Sequence, residues 1–208
     1  MIYAKYIKRV LDFLLSTIAL IILSPIILLL TMIGSIAVKG NPFFTQDRPG
    51  LNEKVFKLIK FRTMTNEKDE NGEFLPDDIR IIPYGRFLRK TSLDELPELI
   101  NIWKGNMAIV GPRPLLIRYL PYYTDGEKKR HSVRPGLTGL AQISGRNVLA
   151  WDSRLALDVE YVEHITFLGD LKIILKTVVK VIKREDVVDA GSFEMQDLDK
   201  ERKLLSCK

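Results

Sequence analysis

The sequence predicts a mainly α-helical chain with one small β-hairpin, held at a membrane by its N-terminal segment. Three observations carry that prediction. Residues 13–38 (FLLSTIALIILSPIILLLTMIGSIAV) contain no charge, residues 41–61 read as two β-rich runs around a turn, and residues 170–184 space lysines at helical intervals among Leu, Ile and Val. The organisation that follows is a membrane segment over 1–39, a domain over 40–184 and a charged tail over 185–208.

The 26 uncharged residues would form a straight helix of about 39 Å, ample for a hydrocarbon core of roughly 30 Å. They are too many for a signal-peptide core, although Ser-Ile-Ala at 35–37 weakly mimics a cleavage site. One straight transmembrane helix is the default reading. Two features favour a re-entrant helix-break-helix instead. Pro25 cannot donate to the carbonyl of Ile21, and Ser24 beside it can bend the helix further. Basic residues also flank both ends: Lys5, Lys8 and Arg9 before, Lys39 and Arg48 after. A spanning helix would place one of these flanks outside, whereas a hairpin keeps both on the cytoplasmic side.

Residues 41–61 (NPFFTQDRPGLNEKVFKLIKF) predict a hairpin turning at Arg-Pro-Gly-Leu-Asn. Residues 65–80 carry six acids and an Asn-Gly, the composition of a long solvated loop that is either disordered or a lid. Residues 114–123 (PLLIRYLPYY) suit an interfacial anchor and a core segment equally well. In residues 170–184, Lys172, Lys176, Lys180 and Lys183 share one helical face, which suits a membrane surface, with a core-packed helix or a strand as alternatives. The tail beyond is charged and is expected to fray.

Composition narrows the function. The 208 residues allow one ordinary domain and an appendage. With 32 basic and 26 acidic residues the net charge is +6, too small an excess to imply a nucleic-acid partner. Cys207 is the only cysteine, which excludes an intrachain disulfide and favours a reducing compartment.

The stretch TSLDELPELINIW (91–103) sets two carboxylates, Asp94 and Glu95, before a helix-like run. Ser92-Leu-Asp-Glu95 fits a capping box, or Pro97 opens the helix and the acids precede it. Either register puts both acids at the positive end of a helix, favouring the ionised form by about 0.3–1 kcal/mol. Helix initiation alone would explain the tetrapeptide. Its company points to chemistry: Arg86, Arg89 and Lys90 lie upstream, Gly-Pro-Arg-Pro (111–114) downstream, and RPGLTGLAQISGR (134–146) beyond. Arginines on Gly- and Pro-rich turns are held stiffly enough to clamp phosphate oxygens. Acids, arginines and Mg²⁺ together make a kit for handling a diphosphate.

In the order 8–12 (KRVLD), 24–25 (SP), 44–50 (FTQDRPG), 60–64 (KFRTM), 92–97 (SLDELP), 111–115 (GPRPL) and 134–146, the sequence resembles the small monotopic phosphoglycosyl transferases. These enzymes begin bacterial glycan assembly on undecaprenyl phosphate. Residues 48–57 and the minimal length are similar to members that transfer N,N′-diacetylbacillosamine 1-phosphate in N-linked glycosylation. The resemblance implies that Asp94 attacks the β-phosphorus of a UDP-sugar, that UMP leaves, and that undecaprenyl phosphate discharges an aspartyl–phosphosugar. It implies Mg²⁺ with Asp94 as a contact, and Glu95 as a positioning group or a base. Lys60, Arg62, Arg89, Arg113 and Arg146 are the candidates for phosphate and nucleotide, with Arg113 framed by Pro112 and Pro114. It also implies a re-entrant break at Ser24 and Pro25, with a catalytic domain on the cytoplasmic face of the inner membrane. Two competing classes are a non-catalytic adaptor reading anionic lipid, for which Asp94→Asn would be harmless, and an Mg²⁺-dependent phosphate-ester hydrolase on a single membrane span.

Overall fold

Residues 2–145, 150–183 and 196–206 are described in the computed structural model of the chain. After a π-helical turn at Tyr3–Ile7, the apolar segment forms one helix, α1 (Lys8–Ala37). Asp12, Ser16, Leu20, Leu23, Ile27, Leu30 and Gly34 recur every three or four residues along it and face the rest of the chain. The opposite face, including Leu14, Ile18, Ile22, Leu29, Ile33 and Ile36, is exposed. A helix of this pattern is packed along one flank from end to end.

Helical structure continues through Ser24 and Pro25, where a break was expected. The reason is local. Pro25 has no N–H for the carbonyl of Ile21, and the Ser24 hydroxyl donates to that same oxygen at 2.8 Å. The lost main-chain bond is thereby replaced, and the helix is not obliged to end.

The hairpin forms as expected: β1 (Phe43–Pro49) pairs antiparallel with β2 (Val55–Phe61), from Phe43 opposite Phe61 to Pro49 opposite Val55. Residues 65–80 are held by a bridge between Met64 and Ile81 and end in the single turn α2 (Asp77–Arg80). Next come α3 (Pro83–Thr91) and α4 (Glu98–Lys104). Tyr84 of α3 donates to the Leu30 carbonyl at 2.8 Å, and Arg9 donates to the carbonyls of Ile102 and Trp103 at 2.8 and 3.0 Å. The domain therefore grips α1 both before and after Pro25.

A second sheet was not anticipated. Strand β3 (Ala108–Val110) leads into Gly-Pro-Arg-Pro; after α5 (Asp125–Lys128) the chain returns as β4 (Gly136–Thr138), parallel to β3. A Cβ on Gly136 would overlap the Gly111 backbone, and the Gly111 amide donates to Thr138 at 2.9 Å. The two glycine-rich motifs are thus two halves of one close backbone contact.

The chain continues with α6 (Leu140–Ser144), α7 (Trp151–Glu163), α8 (Phe167–Lys183) and α9 (Leu198–Ser206). Residues 114–123 prove to be core: Leu115, Tyr119 and Tyr123 are buried with Trp151, Leu155 and Leu198. Aromatic rings with partners on two helices have no reason to seek lipid. The tail also departs from expectation over 196–206, where Leu198 is fully buried and Arg202 pairs with Glu127 at 2.6 Å. Helix α8 buries Ile173 and leaves Leu168, Leu171, Leu175, Val179 and Ile182 exposed, so its lysines flank an apolar stripe.

Candidate active site

The two acids lie between helices. Helix α3 ends at Ser92, which adopts a left-handed conformation at φ 56°, and Leu93–Glu95 form one 3-10 turn. The expected capping box is absent, and Pro97 stands one residue before α4 instead of opening it. Glu95 cannot reach back to Ser92 because its carboxylate is drawn elsewhere: Oε1 accepts from Lys60 Nζ at 2.7 Å and from Arg113 Nη2 at 2.8 Å.

Those partners are themselves fixed. Lys60 is on β2, and its Nζ also lies 3.1 Å from Glu98 Oε1 at the start of α4. Arg113 sits on the loop after β3, where Arg130 donates to its carbonyl at 2.6 Å. Arg130 is in turn bound to Asp158 of α7 at 2.8 Å, a pair almost wholly buried. Pro112 and Pro114 serve as the frame: their carbonyls accept from the Gly136 amide at 3.0 Å and from Arg48 Nη1 at 3.3 Å.

Asp94 is the contrast. Among the described residues its carboxylate has no hydrogen bond or ion pair, and it faces a cavity of about 970 Å³. Burial pushes its pKa up, as does the charge of Glu95, while Lys60, Arg113 and Arg89 oppose both. The helix-end stabilisation expected for this acid is therefore outweighed. Burial would also raise Glu95, yet Arg113 and Lys60 hold it far below the usual carboxylate range. One acid is a locked anion, and the other, among the described residues, is left unpaired toward the cavity.

The cavity gathers Lys60, Arg62, Arg89, Asp94, Glu95 and Arg113. Arg89 is steadied by Thr63 Oγ1 at 3.0 Å. Arg146 lies outside the described residues. Ser24 and Pro25 lie away from the acids on the exposed side of α1, although Leu23 and Ala19 line the cavity. Sequence reasoning missed Arg48, Arg80 and Arg154, which also line it, and Glu98 behind Lys60. A signal existed for two: Arg48 lies in the FTQDRPG motif, and Glu98 falls one helical turn after Asp94. Nothing in the sequence marks Arg154.

Apolar side chains also line the cavity, Ala19 and Leu23 of α1, Ile143 of α6 and Ile174, Val178 and Val181 of α8, with Gln142, Thr177 and Lys180 among them. The cavity can thus take a molecule with a charged end and a greasy one. Among the described residues no cluster of three His, Cys, Asp or Glu could hold a metal by itself. Asp94 still fits Mg²⁺, which commonly takes one or two carboxylates and completes its shell from substrate phosphates and water.

A half-buried acid pair ringed by arginines, in a cavity that also carries apolar side chains, defines a site for an anionic substrate. The family described as bacterial sugar transferase matches residues 3–184, and the chain belongs to that family. It is an enzyme of sugar transfer. It is 47% identical over 180 residues to the uncharacterized sugar transferase EpsL of Bacillus subtilis, covering 86% of this chain and 89% of that one. It is 37% identical over 203 residues to the undecaprenyl-phosphate galactose phosphotransferase of Salmonella typhimurium, covering 88% of this chain and 42% of the relative. The UDP-glucose:undecaprenyl-phosphate glucose-1-phosphate transferase of Escherichia coli is 35% identical over 186 residues, with 85% and 40% covered.

Proposed function

We propose that the chain moves a sugar 1-phosphate from a UDP-sugar to undecaprenyl phosphate, releasing UMP, through a covalent intermediate on Asp94. The observation that carries this reading is the Asp94 carboxylate, unengaged among the described residues, beside a Glu95 already held by two cations. An Asp94 oxygen attacks the β-phosphorus, the bond from that phosphorus to the bridging oxygen breaks, and UMP leaves with the electron pair. A phosphate oxygen of the lipid then attacks the same phosphorus and returns Asp94 to its carboxylate. Splitting one displacement into two suits two substrates that arrive separately, one soluble and one in the bilayer. Lys60, Arg113 and Arg89 face the developing phosphoryl charge, and preorganised cations of this kind act without reorganising as charge builds. When bound, Mg²⁺ on Asp94 would neutralise the diphosphate and draw it toward the acid.

The membrane arrangement we propose is re-entrant, on the cytoplasmic face of the inner membrane. The exposed face of α1 is apolar along its length, while its other flank is held by the domain from Arg9 to Gly34. A helix crossing the bilayer in that embrace would draw the domain's charged surface into hydrocarbon, at a cost of several kcal/mol per unpaired charge. Bending at Ser24–Pro25 toward the headgroups avoids it. Lys8 contributes little as a flanking charge, because Asp170 neutralises it at 2.7 Å.

For the sugar, residues 48–57 support N,N′-diacetylbacillosamine; galactose and glucose, named for two longer relatives, are the alternatives. The test is intact mass of purified protein with Mg²⁺ and each UDP-sugar, without lipid acceptor, beside Asp94→Asn. One phosphosugar added to wild type only, and discharged by undecaprenyl phosphate, is expected. Lipid product formed equally well by Asp94→Asn would overturn the covalent reading.

A further inference from the structure

Glu98 is the acid that neither the sequence nor the transfer chemistry accounts for. It is 2% exposed, the most enclosed carboxylate beside the cavity, and its Oε1 has no hydrogen-bond partner among the described residues. Lys60 Nζ approaches that oxygen to 3.1 Å but reaches Glu95 Oε1 at 2.7 Å. Lys60 therefore stands between two acids set three residues apart, with the rigid Pro97 between them.

We propose that Glu98 is a positioning residue for Lys60, and that its protonation state sets how much of the Lys60 charge the site offers to the phosphates of an incoming nucleotide sugar. The geometry supplies the reason. The charged groups facing Glu98 are Lys60 on β2, Glu95 on the 3-10 turn, Arg113 after β3 and Arg48 on β1. With Glu98 ionised, Lys60, Arg113 and Arg48 face three carboxylates, Glu98, Glu95 and Asp94, and the ammonium is shared. With Glu98 protonated, Glu95 and Asp94 oppose those three cations, and one positive charge is left for an anion. Burial pushes Glu98 up to about 7, with the Glu95 charge adding to it against Lys60 and Arg113. The change of state thus falls where a cell works.

A unit charge moved this close in a partly buried site changes anion affinity by about tenfold or more. The identity of the anion rests on the transferase reading; the electrostatic device does not. The test compares wild type, Glu98→Gln and Glu98→Asp in acceptor-free UMP release, reading half-saturation by the UDP-sugar at about pH 6 and about pH 8, a window in which the diphosphate diester does not titrate. Wild type should show a rise in half-saturation of about tenfold across that window. Glu98→Gln, which keeps the shape and an acceptor for Lys60 but cannot ionise, should show a flat profile, and Glu98→Asp should restore the slope. Equal slopes in wild type and Glu98→Gln would overturn the inference while leaving the transferase reading intact. No UMP from any variant would overturn the transferase reading instead. Thermal protection by sulfate, which stays divalent throughout, then decides Glu98 alone: stronger at the lower pH in wild type only supports it, and equal protection in both proteins overturns it.

Discussion

Arg113 Nη2 donates to Glu95 Oε1 at 2.8 Å, and with the Lys60 contact at 2.7 Å it sets Glu95 apart from the neighbouring Asp94. Glu95 is occupied and held ionised, whereas Asp94 has no hydrogen-bond partner among the described residues and burial pushes its pKa up. A carboxylate pushed well below its ordinary pKa is a poor base near neutrality, so Glu95 is expected to act by holding Arg113 and Lys60 in place. Glu95→Gln is expected to slow single-turnover UMP release by about 10²–10³-fold, the range for losing one preorganised charge contact. Because its folded pKa is depressed, its contribution to stability is complete above the unfolded value of 4.5 and fades only in stronger acid. The loss in rate should therefore be the same at every pH in the working range. A loss that grows as the pH rises through that range would mean that Glu95 titrates there and is the base after all.

The second prediction concerns the anchor of α1. Asp170 Oδ2 accepts from Lys8 at 2.7 Å and from Tyr3 at 2.6 Å, while Oδ1 accepts from Tyr161 at 2.8 Å. Asp170→Ala strands a buried ammonium and the Tyr3 hydroxyl, while Tyr161 keeps the Val110 carbonyl at 3.1 Å, and should cost about 3–5 kcal/mol in unfolding. Replacing both ions, as in Lys8→Met with Asp170→Leu, should recover much of it, since a buried pair is costly to break and cheap to replace. Chemical denaturation in detergent reads both. A double variant as weak as the single one would show that the tyrosines carry the contact.

The third prediction tests the seam between β3 and β4. Gly136→Ala puts a methyl group into the Gly111 backbone and should displace Arg113 from Glu95. Activity is expected to fall below detection, with a stability loss of about 1–3 kcal/mol from overpacking. Gly40→Ala, which meets only the Val38 carbonyl at 3.9 Å, should change stability by less than about 0.5 kcal/mol. Thermal unfolding beside UMP release separates the two, and an active Gly136→Ala enzyme would refute the seam.

These contrasts explain what the sequence could disclose. The apolar segment, the hairpin and the helix over 170–183 were legible because each repeats a period over many residues. Strands β3 and β4 were not, since three residues carry no alternation and each pairs with a residue 28 positions away. The glycines flanking them read as turns, because close approach of two backbones leaves the same mark. The acids and their arginines were legible as a set, whereas Arg154 and the Glu98–Lys60 contact depend on distances no spacing encodes. The tail read as frayed by composition, yet Arg202 meets Glu127 and Asp152 there, and Leu198 fills a pocket its neighbours cannot close.

The last prediction is a pH dependence of folding. His131 packs its ring against Tyr123 with centroids 5.4 Å apart, and burial, with the charge of Arg130, pulls its pKa down from 6.5 to about 4. Glu53 lies 3.6 Å from Nδ1, too far for a hydrogen bond and too exposed to compensate. The folded protein keeps this ring neutral, while the unfolded chain takes up a proton below the unfolded value. Stability is therefore complete above that value and falls as the pH drops toward the folded one, by up to about 3 kcal/mol. His131→Phe keeps a ring on Tyr123 and has nothing to protonate. Urea unfolding of the two proteins at about pH 7.5 and about pH 4.5 should show wild type losing more, by most of that amount. Since the Arg130 beside this ring also holds the Arg113 carbonyl, activity in acid should follow the same order, with His131→Phe the more persistent enzyme. Equal losses in both proteins would assign the acid sensitivity to the carboxylates instead.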